Sequence, residues 1–161
     1  MTGTRSCRPC WLLLATLVAL GALIGYRLLI GTPTQHASDG RAEILLAPAD
    51  RDLVLAEMRM FLSTVQGITL ALTEDDLAQV AEQARGMGLA AAAQVPVSLM
   101  QALPLEFKTL GRSVHADFDQ LALDAEQLGD HEHSLRQLGD ILGKCVACHA
   151  TYRLTPAAPG H

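Results

Sequence analysis

Apolar residues recur along the middle of this chain at spacings of four and three, the period of helices with one buried face. From about Ala49 to Leu72 the stripe is Val54, Met58, Phe61, Val65, Ile68 and Leu72. Thr73 reads as an N-cap with Asp76 at N3, opening a second helix whose stripe is Leu77, Val80, Ala81, Ala84 and Met87. This helix is expected to run through the alanine-rich stretch to about Gln94, across Gly86 and Gly88. Val95-Pro96-Val97 breaks the pattern, and Ser98 to Leu103 suits a short helical turn.

Pro104 fits the first turn of a third helix, with Phe107, Leu110 or Gly111, Val114, Phe118, Leu121, Ala125 and Leu128 facing inward. Gly129-Asp130 is a stop followed by a cap. The last helix carries Leu135, Leu138, Leu142, Cys145, His149 and Tyr152 on one stripe. No strand pattern and no repeat is visible. The expected fold class is all-α, an antiparallel four-helix bundle preceded by an N-terminal transmembrane helix.

The N-terminal part has a different texture. No charge occurs from Trp11 to Tyr26, and Leu28-Leu29-Ile30 prolongs the apolar run beyond Arg27. A run of about 20 residues can span a bilayer. Arg5 and Arg8 precede it, so the positive-inside rule keeps the N-terminus in the cytoplasm and exports the rest. A cleaved signal peptide is the rival, but no good pair of small residues follows the run. The divisions are therefore a cytoplasmic tip and anchor at 1–30, a tether at 31–48, a helical domain at 49–154 and a tail at 155–161. Rich in Thr, Pro, Gly, Ala and Ser, the tether could reach about 60 Å when extended. The implied location is the inner membrane, single-pass, with the domain in the periplasm.

Net charge is −5, which argues against a nucleic-acid surface. No phosphate-binding glycine loop, Gly-x-Ser-x-Gly or His-Glu-x-x-His occurs, and no nucleophile has a base beside it. The chain is not read as an enzyme. With six aromatic residues in all, a helical domain would gain from a large apolar cofactor as the centre of its core.

Chemistry concentrates in Cys145-Val146-Ala147-Cys148-His149, followed by Ala150-Thr151-Tyr152-Arg153. Two thiols three positions apart, with a His after the second, form the attachment pattern of covalent haem c, one per chain. On a helix both sulfurs share a face and can reach the two vinyl groups of one porphyrin. The imidazole is then its proximal iron ligand. A thioredoxin-like dithiol would want a βαβ setting, and a structural zinc would want a fourth ligand. Cys7 and Cys10 repeat the Cys-x-x-Cys spacing on the cytoplasmic side and read as reduced thiols beside the membrane.

The block Cys-x-x-Cys-His-x-x-Tyr-Arg at the end of the last of four helices resembles that of the class II c-type cytochromes, the cytochrome c′ family. The likeness covers about 50–154, with Phe107-Lys108 opening the third helix. It implies an exported bundle with one covalent haem, often homodimeric. Some members are low-spin electron carriers with a Met on the first helix as sixth ligand, and others are five-coordinate binders of NO or CO. Cys145 and Cys148 would carry the thioethers and His149 the iron, with Arg153 one turn beyond as a basic neighbour. For the sixth position Met58 lies on the seam and Met60 on its flank, and an open iron is the third option. Arg59 could pair with a propionate or face solvent. His115, beside Val114 and Phe118, could ligate or tune the haem, but it reads first as an ordinary partly buried His. The expected role is a periplasmic one-electron carrier serving periplasmic or membrane redox partners. A gas binder or sensor is the alternative, and a purely structural haem domain is a third reading.

Overall fold

The structure is a computed structural model that describes residues 8–157. Cys7 and Arg5 lie outside them. Cys10 is disulfide-bonded, which corrects the expectation of a reduced thiol there. Most of the described chain is helical, in six α-helices and one 3-10 turn, Ala91–Gln94.

Helix α1, Arg8–Ile30, is about 34 Å long at 1.5 Å per residue, enough for a hydrocarbon core of about 30 Å. Its large apolar side chains from Trp11 to Ile30 are exposed, except Leu28, which is half-buried. Helix α2, Pro48–Thr73, meets the same test of length and composition, but it packs one face into the domain and buries Val54, Ile68 and Leu72 there.

Helices α2, α3 (Leu77–Gly86), α5 (Leu105–Leu128) and α6 (His131–Thr151) pack side by side, with the short α4 (Val97–Ala102) beneath them. Their ends follow from local chemistry. The Asp76 carboxylate accepts the Gln79 N–H at 2.9 Å and caps α3; Thr73 therefore ends α2 and does not begin the next helix. Gly129 takes the left-handed conformation (φ 62°) that stops α5, and Asp130 accepts the His133 N–H at 2.9 Å to start α6.

Helix α3 is the shortest of the four packed helices. It ends at Gly86, so the expected continuation to Gln94 is not realised. The reason is visible at Gly88: a Cβ there would overlap the Asp119 carboxylate, which holds the Leu89 N–H at 2.9 Å. The chain turns across α5 instead of running alongside it.

The apolar core is consequently split in two. One cluster lies where all four helices meet, around Ile68, Leu72, Val80, Phe118, Leu121, Leu138 and Ile141. The other lies beneath, where Ile44, Leu46, Val54, Leu99 and Leu103 are buried, with Met58 and Phe107 against them. On α6 the buried line is Ser134, Leu138 and Ile141; Leu135 and Leu142 are exposed, so the predicted stripe is rotated.

The second cluster depends on strands that the periodicity did not predict. Strand β2, Ala42–Leu46, pairs antiparallel with β1, Gln35–His36, and parallel with β3, Tyr152–Pro156. The register runs from Ala42 opposite Tyr152 to Leu46 opposite Pro156. Ile44 and Leu46 point into the core and Leu45 points out, the two-residue alternation of a strand. The stretch expected as a tether is thus partly built into the domain. Its N-terminal end is fastened too: Thr32 donates to the Ala102 carbonyl at 2.6 Å.

Candidate cofactor site

A cleft of about 210 Å³, open at its mouth, lies between the two clusters. It occupies the level at which α3 has stopped and only α2, α5 and α6 remain as walls. The α2 wall is Glu57, Met58, Phe61, Leu62 and Val65. The α5 wall is Phe107, Leu110, Gly111, Val114 and His115, and the α6 wall is Leu142, Lys144, Cys145, Cys148 and His149. The lining is overwhelmingly apolar, as in sites for flat hydrophobic ligands. At Gly111 a Cβ would meet nothing within 4 Å, so α5 offers open space there.

All three residues singled out on the last helix line this cleft. Cys145 and Cys148 are half-buried and not joined to each other. Burial pushes both thiols up from their ordinary pKa, and the Cys145 charge adds to the shift at Cys148. They are held as neutral thiols. A redox dithiol of the thioredoxin kind works through a lowered thiol pKa, the reverse of this setting. His149 borders the cleft with an exposed side chain. Among the described residues no three His, Cys, Asp or Glu side chains converge on a possible metal position. Met58 lines the cleft from α2 and packs against the lower cluster. Two thiols and an imidazole on one wall, a thioether on another and apolar space between them would suit a porphyrin, with Cys145 and Cys148 to hold it and His149 and Met58 to approach its metal.

Other expected participants lie elsewhere. Met60 is 53% exposed, Arg59 is exposed, and neither lines the cleft. Arg153 lies in a strand beyond the last helix. The helix ends at Thr151, Tyr152 and Arg153 belong to β3, and the Arg153 guanidinium lies 3.6 Å from Glu43. Tyr152 stacks edge-on against Phe107 at 5.4 Å in the lower cluster.

The structure fixes the surroundings of His115 and adds two participants that no motif announced, Glu57 and Arg41. His115 is buried, its Nδ1 2.7 Å from the Met87 carbonyl and its Nε2 3.4 Å from the Glu57 carboxylate. Burial alone would lower its pKa. The hydrogen bonds to Glu57 and to the Met87 carbonyl outweigh that and raise it. Its ring also lies 5.0 Å from that of Phe61, which stacks on Phe118 at 5.6 Å. Glu57 was legible in principle, four residues before Phe61 on the same helical face. Arg41 was not: its Nη1 donates to the His149 carbonyl at 3.3 Å from a strand edge 108 residues away in sequence. It is held by Asp39, with Nη2 2.7 Å from the carboxylate. A guanidinium thereby sits at the negative end of the helix that carries the motif.

Comparison of the chain with protein-family models, with curated proteins and with solved structures finds no match.

Proposed function

We propose that this chain is a membrane-anchored, periplasm-facing monohaem c-type cytochrome of the four-helix class, acting as a one-electron carrier. In this reading α2, α3, α5 and α6 are the bundle and α1 is the inner-membrane anchor. The observation that carries it is the position of Cys145, Cys148 and His149 together on one wall of an apolar cleft. That cleft lies at the level where the fourth helix is missing, so the bundle is incomplete without something to fill it.

When bound, the haem supplies an iron that changes valence by one electron. The chain's own residues do the rest. Cys145 and Cys148 would hold the macrocycle through thioethers, and His149 would supply the proximal nitrogen. Phe61, Val65 and Val114 keep water from the inner side. The mouth, where Leu142 and His149 are exposed, leaves an edge that a periplasmic or membrane redox partner can approach.

Met58 is the best-placed sixth ligand, because it is the one methionine among the lining residues. One observation favours the second reading, a five-coordinate NO or CO binder: Met58 is packed against the lower cluster, which gives its side chain a core role without any iron. Optical spectra of the exported, matured protein decide between the two. A ferric low-spin spectrum and slow, incomplete CO uptake when reduced support the carrier. Fast and complete CO uptake supports the gas binder. A colourless protein removes both.

A further inference from the structure

The anchor and the domain are joined by more than a linker. Lys108, in the first turn of α5, donates from Nζ to the Leu28 carbonyl of α1 at 2.8 Å and to the Met100 carbonyl of α4 at 3.0 Å. Thr32 donates to the Ala102 carbonyl at 2.6 Å. Gly31 (φ 73°) returns its N–H to the Arg27 carbonyl at 3.1 Å and lies so close to Leu103 that a Cβ would overlap that residue's carbonyl oxygen. The last turn of α1, the whole of α4 and the start of α5 are one hydrogen-bonded unit.

The depth of that unit follows from α1. The uncharged run that begins at Trp11 ends at Tyr26, an aromatic residue suited to the interfacial belt on the domain's side of the membrane. Arg27 follows at the headgroups. Leu28, which shares Lys108 with α4, is therefore at the membrane surface, and α4 is held at the same height. Helix α4 buries Leu99 inward but leaves Val97 66% exposed and Met100 37% exposed, three positions apart and so on one face. Leu105, just beyond α4, is also exposed.

We propose that α4 is an interfacial membrane contact: Val97 and Met100 sit among the lipid headgroups and upper acyl chains, and Lys108 bridges α4 to the emerging anchor. The occupant of this face is the bilayer, because the face is continuous with the helix that crosses it. Apolar side chains backed by a cation at the headgroup level match the chemistry of interfacial helices. The domain is therefore seated on the membrane in one orientation, and its cleft is presented at a constant height. This inference rests on α1 being the membrane anchor.

The test is photo-crosslinking in the full-length, matured protein in its own membrane, with a benzophenone amino acid placed singly at Val97, Tyr26 or Leu135. Leu135, exposed on α6, reports the distant surface of the domain. Lipid adducts at Val97 and Tyr26, with none at Leu135, are expected. Lys108→Ala should cut the Val97 yield several-fold and leave that of Tyr26 unchanged. Adducts at Tyr26 alone overturn the proposal while keeping the anchor. Adducts at neither site overturn the anchor and the proposal together.

Discussion

His115 and Glu57 meet across the cleft from α5 and α2, imidazole Nε2 3.4 Å from carboxylate oxygen, while the Met87 carbonyl holds the other ring nitrogen. A neutral ring has one N–H for two acceptors, whereas the imidazolium satisfies both. The raised pKa of His115 expresses that demand. Because the pKa is higher in the folded state, the stabilisation is complete below the ordinary histidine value of about 6.5 and fades as pH rises through His115's own value. Denaturant unfolding of the wild type should show this alkaline loss. His115→Leu should lower stability by about 1–3 kcal/mol at acid pH through the partners left unpaired, and should flatten the pH dependence.

The early end of α3 gives a pair of glycine predictions. Gly88→Ala forces the Asp119 carboxylate off the Leu89 N–H and should cost about 1–3 kcal/mol. Gly86→Ala has open space and a helical backbone, and should gain about 0.4–1 kcal/mol. Thermal melts of the two variants should move in opposite directions.

Opposite demands meet at Gly111, which lines the cleft with nothing where a side chain would begin. Gly111→Leu should leave helicity intact, since leucine is the better helix former by about 1 kcal/mol. It should fill the cleft and abolish pigment loading. Equal pigment in variant and wild type would remove the cleft as the cofactor's seat.

Met58→Ala separates ligation from packing. If the thioether binds iron, the ferric spectrum changes from low-spin to high-spin and CO uptake accelerates. If Met58 only packs, the spectrum stays and the protein loses about 2 kcal/mol of stability, the low end for Met→Ala because the side chain is partly buried.

Much of this architecture is legible in the residues. The stripe from Val54 to Leu72 marks α2, the Gly129-Asp130 pair marks the turn between α5 and α6, and the Cys145–His149 spacing marks one wall of the cleft. What escaped was non-local. Strand β2 is five residues long and finds its parallel partner more than a hundred residues later, so no local period announces it. The stop of α3 depends on a carboxylate of α5 over Gly88, invisible to helix propensity. Arg153 was placed by extending the last helix too far; β3 takes the chain at Tyr152 and turns that guanidinium toward Glu43.

The central claim is a porphyrin bonded to the closing helix, and peptide mass analysis of the exported protein tests it most directly. The proteolytic fragment containing Cys145, Cys148 and His149 should carry the added mass of one haem through both sulfurs, and the colour should survive acid acetone. The same fragment with two free thiols, or colour that passes into the solvent, would contradict the account.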